Sequence, residues 1–183
     1  MNNKRVVITG SPGAGKTSLI RELSKKGYYT FNEYSRTLIE EAKEKGKSNI
    51  FLSDPYQFSE QLFSGRKKQF ESSEKIKYKP SMPYIFFDRG IQDILAYLEA
   101  HNKSNSNWKK RIIDFQYDLV FLVEPWEKIF QKDSQRMETF EQAKKYFPFI
   151  EKTYLNNHKV VRVPKMSVAE RINFIEKYLF LYE

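Results

Sequence analysis

Residues 6–17, VVITGSPGAGKT, constrain the fold more tightly than any other part of the chain. A β-branched apolar run leads into a loop with Gly10, Gly13 and Gly15, and Lys16 and Thr17 follow directly. This is the G-x-x-x-x-G-K-[ST] pattern in the setting it requires, between a strand and a helix. Such a loop turns its backbone N–H groups toward one anion, and glycine tolerates both the dihedrals and the close approach. Leu19, Ile20 and Leu23 fall on one face of the segment from Lys16 to Lys26, so the loop opens a helix whose positive end faces the same anion. Gly10, Ser11, Gly13, Ala14, Gly15, Lys16, Thr17 and Ser18 are therefore the candidate nucleotide-binding residues. Lys16 is expected to reach the β- and γ-phosphates of ATP or GTP, and the Thr17 hydroxyl to ligate Mg²⁺.

The 183 residues suit one domain, expected to span 1–183. With no cysteine the chain has no disulfide, thiolate-bound metal or thiol nucleophile, which suits a reducing, cytoplasmic setting. The N-terminus enters a strand at once and lacks the profile of a signal peptide, and no apolar run reaches membrane-spanning length, so no membrane role is expected. The lone His101 and His158 lack metal-ligand spacing and read as surface or structural histidines. Two segments, Arg66 to Lys79 and Ala100 to Arg111, carry +4 each and account for most of the net +9. They read as mostly solvated surface that also attracts the nucleotide, with a polyanion as the alternative partner.

Further short apolar runs at Tyr28 to Phe31, Tyr84 to Phe87, Leu119 to Val123 and Val160 to Val163 predict strands covered on both faces. Helical patterns separate them. One lies in Ser35 to Lys45, one starts at an Asp54 cap with Pro55 in its first turn, one carries Ile94, Leu95 and Leu98, and one follows a Ser167/Glu170 capping box. The segment from Lys45 to Ser53 is polar, and NKSNSN, from Asn102 to Asn107, reads as an exposed loop. Alternating strands and helices predict an α/β fold with a parallel sheet and ligands at the strands' C-terminal ends.

Those ends supply the remaining candidates. Asp88 closes the third strand in FFDRG, where a carboxylate can hold Mg²⁺ through water or accept a proton from an attacking hydroxyl. ATP-hydrolysing motors place a second acid beside such an aspartate, whereas here Arg89 follows, which favours an anionic or polar acceptor over lytic water. Glu33 and Arg36 come after the second strand, the first able to bind or deprotonate an acceptor hydroxyl and the second to reach a phosphate. After the fourth strand, Pro125 and Trp126 precede a charged stretch containing Arg136. A lid over roughly residues 126–146 could there deliver a cation to the transferring phosphoryl group, an effect worth about 10³-fold or more in rate.

The phosphate loop, EYSR, DRGIQDILAYL, the PW pair with DSQR, and VPKMSVAER together resemble the P-loop kinase-like ATPase family, AAA-domain NTPases related to the nicotinamide-riboside kinase domain of the bifunctional bacterial NAD-biosynthesis regulator. The resemblance spans nearly the whole chain in order. It implies a three-layer α/β/α P-loop NTPase fold with a five-stranded sheet in the order 2-3-1-4-5. It also implies acceptor or catalytic roles for Glu33, Arg36, Asp88, Arg89 and Asp93, with Arg136 as the lid arginine. The leading expectation is an ATP- and Mg²⁺-dependent phosphotransferase acting on a hydroxyl of a small molecule, with nucleosides and nucleotides as candidates. A nucleic-acid end kinase, with Phe70, Tyr78 and Trp108 among the basic residues as stacking groups, and a regulatory ATPase or nucleotide-dependent switch are the alternatives.

Overall fold

A computed structural model describes residues 2–44, 46, 53–131 and 138–182. The first strand, β1 (Lys4–Gly10), runs into α1 (Lys16–Lys25), followed by β2 (Tyr29–Phe31), α2 (Tyr34–Glu44) and the long α3 (Pro55–Glu74). Next come β3 (Tyr84–Asp88), α4 (Gln92–Ala100), α5 (Ser106–Ile112) and β4 (Leu119–Val123). A 3₁₀ turn (Glu127–Ile129), α6 (Phe140–Leu155), β5 (Val160–Val163) and α7 (Val168–Tyr182) complete the chain.

All strand pairings are parallel, and the five strands lie in the order β2-β3-β1-β4-β5. Because successive strand side chains point to opposite faces, the central strands feed two separate cores. Val7, Ile85, Phe87, Val120 and Leu122 pack under the layer containing α2, α3, α4, α5 and α6. Val6, Ile8, Phe86, Leu119 and Phe121 meet α1 and α7 through Leu19, Leu23, Ile172 and Ile175. The expected coverage of both faces holds fully for β3, β4 and residues 6–10 of β1, and weakens at the edges. Tyr29 of β2 is half-exposed, since an edge strand has one neighbour and less helix above it.

The local signals act as the sequence suggests. Asp54 accepts a hydrogen bond from the Gln57 N–H at the start of α3, with Pro55 in the first turn. Ser167 and Glu170 exchange the two hydrogen bonds of a capping box ahead of α7. A second capping box, Thr139 with Gln142, opens α6. Two expectations need correction. Residues 102–107 are not all loop, because the Asn105 side chain accepts from the Trp108 N–H and starts α5 at Ser106, burying Trp108. The basic segment from Arg66 is not all surface either: α3 continues through it and turns Arg66, 3% exposed, into the interior. Most of the Lys45–Ser53 stretch lies outside the described residues.

Candidate active site

At the C-terminal ends of β1, β2 and β3 a cleft of about 500 Å³ joins the glycine loop to a recess between α2, α3 and α4. Its near wall comprises Pro12, Gly13, Gly15, Lys16, Thr17 and Ser18. Gly15 takes a left-handed conformation at φ 88° as the N-cap of α1, which no side chain caps. The first N–H groups of that helix are consequently left for an anion. Gly10, Ser11 and Ala14 build the loop from behind: the Ser11 hydroxyl donates to the Ala143 carbonyl in α6 at 2.8 Å, and the Ala14 carbonyl accepts from Arg171 of α7 at 2.9 Å. Lys16 is buried with its ammonium donating to the Gly10 and Ser11 carbonyls at 3.1 and 2.7 Å. Burial, then the nearby Arg89 charge, pushes its pKa down to about 7. An anionic phosphate would offset both influences.

Asp88 pairs in register with Ile8, which brings its carboxylate beside the loop, as the neighbouring of strands one and three requires. Its Oδ2 accepts from the Thr17 hydroxyl at 3.1 Å, while its buried Oδ1 has no hydrogen-bond partner among the described residues. Burial and the Glu33 charge raise this carboxyl to about 6. A hydroxyl and a carboxylate side by side, one oxygen unsatisfied, make a donor set of the hard-oxygen type that suits Mg²⁺. Thr17 and Asp88 thus fit the metal expected of them.

Opposite stands Glu33, at the exit of β2. Its Oε1 accepts from Ser35 at 2.8 Å and from Arg66 at 3.1 Å, and its Oε2 accepts from Arg89 Nε at 2.9 Å. Burial alone would raise its pKa, yet Arg89 and Arg66 outweigh it and hold the carboxyl down to about 2. Glu33 is accordingly a fixed anion that holds two guanidinium groups at the cleft wall. Arg89 itself has φ 70°, a left-handed backbone that is uncommon without glycine. What holds it there is a set of buried contacts: its N–H to the Ile8 carbonyl at 3.0 Å, Nε to Glu33, Nη1 to Asp93 Oδ1 at 2.7 Å, and its guanidinium over the Tyr97 ring.

Of the residues expected at the acceptor end, Glu33, Arg36 and Arg89 line the cleft. Asp93 does not. It is fully buried, and its oxygens accept from Thr9, Arg89, the Gly90 N–H and Tyr154, so the structure places it behind Arg89 and off the cleft lining. Arg136 and its neighbours 132–137 lie outside the described residues. The flanking Ile129, Gln131 and Glu138 do line the cleft.

The recess also contains residues the sequence did not single out for function. Ile39, Phe58, Leu62, Ile94 and Tyr97 form an apolar wall, with Ser59 and Arg66 among them. Arg66 donates to the Gly90 carbonyl at 2.9 Å as well as to Glu33. Its only sequence signal was a lone arginine three residues after Phe63 on a helical face, and the surrounding lysines masked it. Phe70 and Trp108, expected among the charges as stacking groups, are buried in the core, and Arg111 covers Trp108 while pairing with Glu60. Among the described residues no cluster of His, Asp and Glu suited to a metal was found beyond the pair at the loop, and no helix is long and apolar enough to cross a membrane.

A family model described as an AAA domain matches residues 5–171. No curated protein matches the chain. Solved structures match it along most of its length. A deoxyadenosine kinase from M. mycoides with bound dATP superimposes with a TM-score of 0.68 at 18% identity, covering 96% of this chain and 98% of that one. NadR protein in complex with NR gives 0.66 at 16% identity, over 96% of this chain and 50% of that one. Thymidylate kinase from Candida albicans gives 0.66 at 15% identity, over 99% and 92%. These likenesses establish the P-loop kinase fold and its 2-3-1-4-5 sheet.

Proposed function

The chain belongs to the AAA domain family, and from that premise we propose that it is an ATP- and Mg²⁺-dependent kinase that transfers the γ-phosphoryl group to a hydroxyl of a nucleoside-like small molecule. One observation carries this reading: the glycine loop and a half-apolar recess share a single cleft, with Glu33 and Arg89 at their junction. The apolar wall of Ile39, Phe58, Leu62, Ile94 and Tyr97 suits a flat heterocycle. Arg66 and Arg89 are already matched by Glu33 and Asp93, which favours an uncharged acceptor over a phosphorylated one.

The loop and Lys16 would hold the donor triphosphate, and Thr17 and Asp88 would hold Mg²⁺, which when bound neutralises charge on the phosphates. Glu33 would accept a hydrogen bond from the acceptor hydroxyl, orient it, and take its proton as the new O–P bond forms and the bond to the ADP oxygen breaks. Phosphoryl transfer asks more of positioning and charge neutralisation than of a strong base, so Glu33, a weak base that stays ionised until the proton is transferred late in the step, is adequate. Arg89 would face the charge on the transferring group, Arg36 the phosphates or the acceptor, and of the expected 126–146 lid only the part that precedes α6 would close and bring Arg136, since α6 is bonded to the phosphate loop through Ala143.

The burial of Phe70 and Trp108 leaves Tyr78 alone of the three aromatic groups expected to stack bases, which counts against an end kinase of nucleic acid. Incubation with γ-labelled ATP, Mg²⁺ and a panel of nucleosides, nucleotides, sugars and oligonucleotides tests the proposal. Label should appear on one or more nucleosides; label confined to oligonucleotides, or to free phosphate, would contradict it.

A further inference from the structure

Arg89 holds a left-handed backbone at the reacting end of the cleft, and the groups that keep it there extend well beyond the cleft wall. The Tyr154 hydroxyl, on α6, donates to Asp93 Oδ2 at 2.6 Å and accepts from the Gly90 N–H at 3.0 Å. The Tyr117 hydroxyl accepts from the next N–H, that of Ile91, at 3.2 Å. Thr9 donates to Asp93 Oδ1 at 2.6 Å, the same oxygen that takes Arg89 Nη1. Both Asp93 and Tyr154 are fully buried. A Cβ on residue 90 would lie 2.5 Å from the Tyr154 oxygen and 2.9 Å from the Tyr117 ring, so the glycine of the DRG turn is required by these two tyrosines.

The helix that carries Tyr154 also touches the donor side. Its Ala143 carbonyl takes the Ser11 hydroxyl of the phosphate loop. Eleven residues separate the two contacts, about 16 Å along an α-helix. One helix, with Pro148 between the two contacts, is thus bonded both to the loop that grips the donor and to the turn that presents Arg89.

We propose that Tyr154, acting through Asp93, is a positioning residue for phosphoryl transfer: it fixes the Arg89 guanidinium relative to the phosphate loop while touching neither substrate. The proposal rests on the kinase reading for its consequence in rate and on the buried geometry alone for the placement of Arg89. Tyr154→Phe keeps the ring, removes a donor from Asp93 and leaves the Gly90 N–H only its bond to Asp93 Oδ2 at 3.1 Å. Since misplacing a reacting group by about 1 Å can cost on the order of a hundredfold, its effect should fall on turnover.

The experiment measures label transfer to the best acceptor for the wild type, Tyr154→Phe, Arg89→Lys and the double variant, together with the side-chain Nε–H resonance of Arg89, assigned by its loss in Arg89→Lys. Tyr154→Phe is expected to lower kcat by about ten- to a hundredfold, with KM for ATP changed less than about threefold. The same change should have little further effect in the Arg89→Lys background, because residues acting through one another are not additive. The Arg89 Nε–H signal should shift or broaden. An equal loss of kcat in both backgrounds, or an unmoved Nε–H signal in folded Tyr154→Phe, would overturn the proposal. Should Tyr154→Phe not fold, Thr9→Val takes its place with the same expectations, since it removes the other hydroxyl donor to Asp93. A wild-type protein that labels no acceptor would count against the kinase reading, and the resonance alone then decides whether Tyr154 positions Arg89.

Discussion

Glu33 shows how much of this site is settled by single side chains. It is 10% exposed and faces two buried arginines, so its carboxylate is favoured in the folded state far more than in the unfolded one. With its pKa held at about 2 against an ordinary 4.5, the stability it contributes is fully present above pH 4.5 and is lost as pH falls through about 2. The loss should amount to a few kcal/mol, on the order of what one such shifted carboxylate supplies. Urea midpoints measured against pH should therefore decline through that window. In Glu33→Gln the decline should be shallower and the neutral-pH stability lower by about 3 to 5 kcal/mol, because Arg66 and Arg89 lose their counter-charge. A steeper acid decline in Glu33→Gln would contradict the assignment. Asp88→Asn should leave ATP binding nearly intact and reduce turnover by about 10²-fold or more, as removal of a metal-holding charge at constant shape would. Lys16→Ala should weaken ATP binding in a titration or abolish turnover; unchanged values in the folded variant would remove the basis of the nucleotide site.

At the scale of elements, helix contacts explain a glycine that propensity does not. Gly65 lies inside α3, where alanine is ordinarily better by about 1 kcal/mol. A Cβ there would run into the Tyr34 ring of α2, so Gly65→Ala should destabilise instead, by about 1 to 3 kcal/mol, and disturb the acceptor recess these helices frame. Thermal unfolding reads the sign directly, and a raised midpoint would contradict the packing described. The strands, the phosphate loop and the Asp54 and Ser167 caps were legible in the sequence because each signal is local: period, turn residue and cap lie within a few positions. The strand ends also pointed to Glu33, Arg36, Asp88 and Arg89, but the pairings that hold the site together were not legible. Glu33 meets Arg66 across 33 residues and Asp93 meets Tyr154 across 61, and no spacing rule connects such pairs before the sheet order brings them together. The family resemblance put Asp93 at the acceptor end, and its place behind Arg89 follows only from Thr9 and Tyr154, which surround it in the fold.

For the whole molecule, charge is the property that most needs an account. The +9 invites a polyanion, yet in the two basic segments four of the cations face an acid close by: Arg66 with Glu33, Lys67 with Glu71, Lys109 with Glu99 and Arg111 with Glu60. Acceptor affinity at saturating ATP should consequently change less than about threefold between low and physiological salt. A single strand held through four or five phosphates would lose on the order of a hundredfold. Changing Lys67, Lys68, Lys109 and Lys110 to Gln should leave that mild dependence as it is; a steep slope that flattens in this variant would favour a nucleic-acid acceptor. The central claim is that the γ-phosphoryl group goes from ATP to a hydroxyl of a nucleoside-like molecule across the Glu33–Arg89 junction. The most direct test is ³¹P NMR of the protein with ATP, Mg²⁺ and the nucleoside that takes up label. Growth of a phosphomonoester signal in step with ADP is the predicted result, and inorganic phosphate as the sole partner of ADP would contradict it.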